Sequence, residues 1–539
     1  NVTDDDGGIY VETGTLLIDN TTISGNISGL EGAGVLIYDV TVSATIQNNT
    51  VISNNVASSN FSGGAGIWFD GIKLTVTDTT ITDNSSVSDG GAVYIEGGSV
   101  SFSNVTINDN DTQESGGGIY QRSNTTVEIS NTDITGNTAA DGGGGIRNNQ
   151  GKLTVKDLSV IDGNTANGEA CGGGISFLGD EVGHTTTITD STISNNKCTD
   201  GGGYGAGVFA DDGDPDATLT VTNTLITGNI NENSFGGGIA TYGATMTIEK
   251  SLITDNTAEY DAGVGAYQPT TIRNTTISGN TATVGSAGGI GFEDNVTHEL
   301  YNVTITNNSS PVVGGMVVRT NVALNIYNSI IAGNQGTSPD CLEVDSNPTS
   351  VVVDFRSVPS ILENSTGCNP QNDSALLQVD PQLENLADNG GFTNTHAIPI
   401  TSPAYNASGA SATTDDQRGV SAVGIRDLGA FEYTGDDSTL TVTVTNPANN
   451  STKQYVNELT VTFSKNVLND GSPDAANNTA NYLLVERGTN SSFDTLSCAG
   501  GVATDDVNIT IDSANYNSGT KTATLGVNGG TALPDGKYR

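Results

Sequence analysis

The sequence predicts an all-β protein: a right-handed parallel β-helix of about twelve coils, followed by a smaller antiparallel β-sandwich. Three recurring patterns carry that prediction. A glycine-rich step followed by an aliphatic residue returns at Ile9, Val35, Ile67, Val93, Ile119, Ile146, Ile175, Val208, Ile239, Val264, Ile290 and Met316, at spacings of 25 to 33 residues. Before each next step stands a Thr-Ile-Thr-like stretch, whose aliphatic residue runs from Ile23 and Ile52 to Ile305 and Ile331. Three residues later comes an asparagine, at Asn26, Asn55, Asn84, Asn110, Asn137, Asn164, Asn196, Asn229, Asn256, Asn280, Asn308 and Asn334. A fixed period of this length is the mark of a repeat architecture, in which one unit cannot bury its own apolar face.

Each repeat holds three short strands. Between the glycine step and the Thr-Ile-Thr stretch lies a second alternating segment, Leu-Thr-Val-Thr-Asp at 74–78, Leu-Thr-Val-Lys-Asp at 153–157 and Leu-Thr-Val-Thr-Asn at 219–223. Alternation with a period of two sends one set of side chains inward and the other to solvent. β-branched residues suit such pleated surfaces. Stacking in register turns each inward isoleucine into a column and each asparagine into a ladder bonded to the next coil's amide. The asparagines are expected at corners, where left-handed backbone is tolerated. The glycines are expected where a Cβ would clash. A leucine-rich repeat, the nearest rival at this period, requires a Leu-x-x-Leu-x-Leu skeleton that is absent.

Composition narrows the partners. Sixty-one acidic residues against 18 basic ones give a formal charge of −43, a surface that repels nucleic acid and anionic membranes. No run of about 18 apolar residues marks a transmembrane helix. Cys171 and Cys198 stand 27 residues apart, one coil, so stacking brings them near bonding distance. Cys341 and Cys368 bracket a loop-rich segment and form a second candidate pair. Buried free thiols are the alternative in both cases. Two bridges fit an oxidising compartment, and Cys498 is left over.

The repeats over about residues 1–335 resemble those of the polymorphic-outer-membrane-protein type of β-helix, with its Gly-Gly-Ala/Gly-Ile and Asn-x-x-Ile/Val-x-x-Asn units. The next segment is similar to the C-terminal part of the choice-of-anchor β-helix proteins. That likeness rests on Cys341, Gly367-Cys368, Asp380-Pro381, Asn389-Gly390-Gly391, Ser402-Pro403-Ala404, Asp416-Gln417-Arg418-Gly419 and Asp427-Leu428-Gly429-Ala430-Phe431-Glu432. From about residue 437, strands at Leu440–Thr445, Leu459–Phe463, Val507–Ile511 and Thr522–Val527, with turns at Asn481-Tyr482 and Leu533–Tyr538, resemble a bacterial surface-layer Ig-like domain. The division is therefore 1–336 for the repeats, 337–436 for the segment closing the β-helix, and 437–539 for an incomplete Ig-like sandwich. These resemblances imply an extracellular, cell-surface protein and name no reaction.

Asn1 falls in the asparagine register, 25 residues before Asn26, and Tyr538-Arg539 stops short of a last sandwich strand. Both ends suit either a truncated chain or association with further copies, end to end or by strand donation. Catalytic chemistry is sparse. Arg122, Arg147 and Arg273 form no adjacent-coil cluster by register, and Asn131-Thr132-Asp133, a fragment of a polygalacturonase-like pattern, coincides with the ordinary repeat. His184, His298 and His396 lie far apart in the coil count. No catalytic residue is assigned, and no cofactor is expected except Ca²⁺. That ion would be held by Asp211, Asp212, Asp214 and Asp216, the densest acidic loop, although their spacing is not that of an EF-hand. Asn60, Asn124, Asn364 and Asn490 are candidate glycosylation sites in Asn-x-Ser/Thr contexts. The expected function is a secreted structural or adhesive surface protein, with the repeating subunit of an extracellular filament or sheath as its finer form; a glycan-binding adhesin and a polysaccharide lyase or hydrolase are the alternatives.

Overall fold

A computed structural model describes the chain except for residues 1, 4–6, 59, 61, 62, 123, 169, 170, 180–182, 200, 201, 213–216, 345–350, 411, 423, 436–440, 449, 450, 465, 466, 468–474, 490–492, 496–501 and 504. It divides into two compact units, Asn1–Thr434 and Gly435–Arg539.

The first unit is the anticipated β-helix. Its coils pair in parallel, with the register between the third and fourth coils shifting only between Phe69 and Lys73. Ile67 lies between Val35 and Val93, Val76 between Ile46 and Phe102, and Ile81 between Ile52 and Ile107. Inward residues form one continuous core, with Ile67, Phe69, Leu74, Val76 and Ile81 of a single coil all fully buried. Full burial of one such side chain stabilises by about 1.5–3 kcal/mol. A fourth, two-residue strand follows the asparagine in eleven coils, from Val2–Thr3 to Thr281–Ala282, and makes its own parallel sheet. The repeat spacing showed three strands only, because two residues are too short to display alternation.

The asparagine ladder differs in one respect from expectation. The left-handed residue is the one before each ladder asparagine: Gly25, Asn54, Asp83, Asp109, Gly136 and Gly163 in the first six coils. The asparagine itself faces inward and is buried, and its amide spans three coils. Asn137 Oδ1 accepts from both the backbone N–H and Nδ2 of Asn110, while its Nδ2 donates to Asn164 Oδ1 and to Ile107 O. Of the three glycines at 143–145, only Gly143 has a positive φ (69°). Gly144 is required by proximity: a Cβ there would lie 2.5 Å from Thr165 O and 2.6 Å from Gly173 O.

Beyond the twelve coils, Cys341–Val344, Val352–Asp354 and Ser360–Leu362 stack as one more. Asp340 then takes the asparagine's place, its Oδ1 accepting from Asn334 N and Nδ2, its Oδ2 from Asn364 N. From about residue 384 the chain leaves the stack and runs back as a strap along the outside of the third strands. There Ile330, Ala332 and Ile361 meet Ala397, Ile398, Ala404, Leu428 and Phe431. The buried ion pair Arg426–Glu432 holds the strap's end.

The second unit has a four-stranded antiparallel sheet in the order Val442–Asn446, Glu458–Phe463, Thr522–Val527, Ile511–Asn517, beside a pair formed by Leu484–Glu486 and Val507–Ile509. Ala523, Leu525 and Val527 are its buried face. This arrangement is consistent with an Ig-like part.

Candidate functional site

The face of the first strands turned away from the core carries a row of large side chains separate from that core. The residue after each leading aliphatic lies there, and register aligns Leu36, Trp68, Tyr94, Tyr120 and Arg147. Tyr38, Trp68, Tyr94 and Tyr120 stack face to face, with centroids 5.5, 6.2 and 5.1 Å apart. Trp68, Tyr94 and Tyr120 retain only 5, 5 and 8 % of their exposure. A sugar ring needs a free aromatic face, and in this stack the rings cover one another. Only Tyr38, half exposed, keeps an outer face open. Tyr94 Oη donates to Glu96, which also pairs with Arg122 at 2.8 Å.

Farther along, a second aromatic group closes the same face. Tyr204 lies 5.6 Å from both Phe209 and Tyr242 and 5.9 Å from Phe235, which stacks on Tyr260 at 4.7 Å. Past it the central positions become small, Ala240, Gly265 and Gly291. The space they leave is occupied by Asp261. A Cβ on Gly291 would lie 2.3 Å from the Asp261 carboxyl carbon. Asp261 Oδ1 accepts from Ser286 Oγ at 2.7 Å and from Ala287 N at 3.2 Å. Arg319 stands 3.9 Å from its other oxygen and pairs with Glu293. Burial raises the Asp261 carboxyl above its usual range despite Arg319, and raises Glu293 to about 7.

Two carboxylates of raised pKa sharing one arginine are a combination found at acid–base sites. The sequence pointed elsewhere and missed it. The signal was a departure from the repeat: Tyr-Asp-Ala-Gly-Val at 260–264, where the preceding coil reads Phe-Gly-Gly-Gly-Ile at 235–239 and the following one Ser-Ala-Gly-Gly-Ile at 286–290. Access decides its chemistry. The Asp261 side chain is 0 % exposed and that of Glu293 17 %, so the first cannot touch a substrate in this arrangement. The cluster binds three successive coils to one another.

The histidines also lie in packed surroundings. His298 faces the core against Phe292, and burial lowers it to about 4. His396 fixes the strap, its ring nitrogens 2.7 Å from Glu384 O and 2.8 Å from Ser278 Oγ. His184 is buried as well.

The paired cysteines come together as disulfides, Cys171 with Cys198 and Cys341 with Cys368, at Cα separations of 5.9 and 5.7 Å. Each joins adjacent coils. Asp211 is half-buried beside its strand neighbour Leu178. Asp214 and Asp216 lie outside the described residues, as do Cys498, Asn490 and the side chain of Asp212. Among the described residues no group of three His, Cys, Asp or Glu is placed to hold a metal ion. Asn60 and Asn124 are exposed and Asn364 half-exposed.

A polar groove of about 340 Å³ lies elsewhere, at the corner between the second and third strands of coils two to four, lined by Asn49, Asp78, Asn104, Val51, Thr80 and Thr106 among others. No described helix is long and apolar enough to cross a membrane. No curated protein and no solved structure matches the chain. A family model describing a right-handed β-helix region matches residues 65–248, and the repeats are those of that fold.

Proposed function

We propose that this protein is an extracellular structural surface protein, whose β-helix presents or spaces other molecules rather than processing a polysaccharide. Right-handed β-helices serve as surface proteins, as adhesins and as polysaccharide-active enzymes, so fold alone does not choose among them. The observation that carries the reading is the filling of the first-strand face by the protein's own side chains. The Trp68 stack and the buried Asp261–Arg319–Glu293 cluster cover that face with side chains packed against one another. The two disulfides, each between neighbouring coils, suit an oxidising exterior, and the high negative charge favours solubility there. A filament is the finer form of this reading.

The test is direct. Purified protein is incubated with neutral and uronate polysaccharides from pH 4 to pH 8, and reducing ends and unsaturated products are measured. The expected result is no product above a heat-treated control; turnover removed by Glu293→Gln would reverse the reading. Negative-stain microscopy over a concentration series tests the filament form, with end-to-end chains expected and isolated rods at every concentration counting against it.

A further inference from the structure

We propose that the corner groove of coils two to four binds an extended, lysine-bearing peptide segment of another polypeptide, as the protein's own strap is bound farther along the same corner. This goes beyond the surface-protein reading by naming a partner class and its seat.

The strap shows how the corner grips a peptide. Every coil places a residue there in left-handed conformation, including Asn274, Asn302 and Asn328 (φ 46°, 51° and 51°). Their amides take hold of main chain. Asn328 Oδ1 accepts from Gly409 N at 2.7 Å, and its Nδ2 donates to Ala410 O at 3.0 Å. Asn302 Oδ1 accepts from Thr413 N at 3.0 Å, and its Nδ2 donates to Asp427 O at 3.2 Å. The first residues of the third strands add hydroxyls: Thr304 Oγ1 accepts from Ala430 N, and Thr276 Oγ1 donates to Gln417. An amide that offers a donor and an acceptor reads any peptide backbone and demands only small side chains close to it.

The open groove repeats those positions. Asn49, Asp78 and Asn104 are its left-handed corner residues (φ 61°, 48° and 55°). Thr80 and Thr106 occupy the register places of Thr276 and Thr304, linked through successive pairings of the third strands. Without a strap, the corner groups turn to one another, Asn104 Nδ2 donating to Asp78 Oδ1 at 2.5 Å. A peptide would exchange that exposed bond for its own.

Charge selects the occupant. At coil nine the corner residue is Lys250, and it meets the strap's Asp415 at 2.6 Å. At coil three the corner residue is Asp78, with Asp19 nearby held below the ordinary carboxylate range by bonds from Gln47 and Asn48. The pairing is thus reversed, and the matching peptide carries lysine where the strap carries aspartate.

The probe is a fluorescent peptide of strap residues 408–417 with Asp415→Lys, titrated against the full chain and read by anisotropy. Saturable binding is expected, weakened up to about tenfold by Asn104→Gly, which removes the corner amide one coil from Asp78 and keeps the left-handed backbone. Asp78→Asn should abolish the preference for the lysine peptide over the native strap sequence. Asn223→Gly, on the same corner at coil eight, should leave binding unchanged, and equal melting temperatures would show all variants folded. Absence of saturable binding, or equal affinity for wild type and Asn104→Gly, would overturn the proposal.

Discussion

Asn137 shows how much one side chain of the ladder carries. Its amide closes four hydrogen bonds to two neighbouring coils. Asn137→Ala would leave the buried Asn110 N–H and the Asn164 carbonyl oxygen each short of a donor or acceptor. At about 1–3 kcal/mol for each buried group left unpaired, a loss of roughly 3 kcal/mol is expected, measurable by denaturant unfolding. Asn137→Asp should be at least as damaging, because a carboxylate would face the acceptor Asn164 Oδ1. Asp340 tolerates being a carboxylate because its second oxygen meets a donor, Asn364 N. The ladder was legible in the sequence, since an identical residue at an identical place in twelve repeats leaves little else to explain it. The left-handed place beside it was not, because Gly, Asn and Asp alternate there and no single residue type marks it. Asp261 was equally hard to read, as its role depends on Gly265 in its own coil and Gly291 in the next, which vacate the space it fills.

At the level of elements, the coils are coupled chiefly to their neighbours, and so are the disulfides. Cys171–Cys198 closes a loop of 27 residues, which in the chain-entropy description stabilises by roughly 3–4 kcal/mol. In a stack whose stability is a sum of local and nearest-neighbour terms, that gain should stay local. The double variant Cys171→Ser, Cys198→Ser is expected to show faster amide exchange in the coils of Ile175 and Val208, with the coils of Ile67 and Ile290 unchanged. Uniformly faster exchange along the rod would show long-range cooperativity instead. The strap is the element the sequence described least well. Its motifs implied a closing segment, but its side-on course depends on long-range contacts such as Asn328 with Gly409 and Ser278 with His396. No periodicity reports contacts separated by about 80 to 120 residues, whereas coil-to-coil pairing repeats its own evidence every turn.

For the whole molecule, the balance of buried titrating groups gives a pH dependence with a definite sign. Burial raises Glu293 from 4.5 to about 7, and Asp89 and Asp427 from 3.8 to about 6. An acid with a raised folded pKa holds a proton that the unfolded chain releases, so its contribution is present at low pH and declines as pH rises through that window. His298 opposes this: lowered from 6.5 to about 4 by burial, it costs stability as pH falls below 6.5. From pH 7.5 to pH 6 the acids dominate, because Glu293, Asp89 and Asp427 together take up more protons in the folded state than His298 takes up in the unfolded chain. The melting temperature should therefore rise over that interval and level off or turn below it. Relief of repulsion among the acidic residues, which give a formal charge of −43, acts in the same direction, but salt screens exposed charges far more than buried ones. Glu293→Gln separates the two effects. At high salt its melting temperature should rise less between pH 7.5 and pH 6 than the wild type's, because a titrating group packed among Asp261, Arg319 and Tyr267 has been removed. Parallel curves for the two proteins would place the pH response on the surface charge, and would mean that the Asp261–Arg319–Glu293 cluster keeps one protonation state throughout.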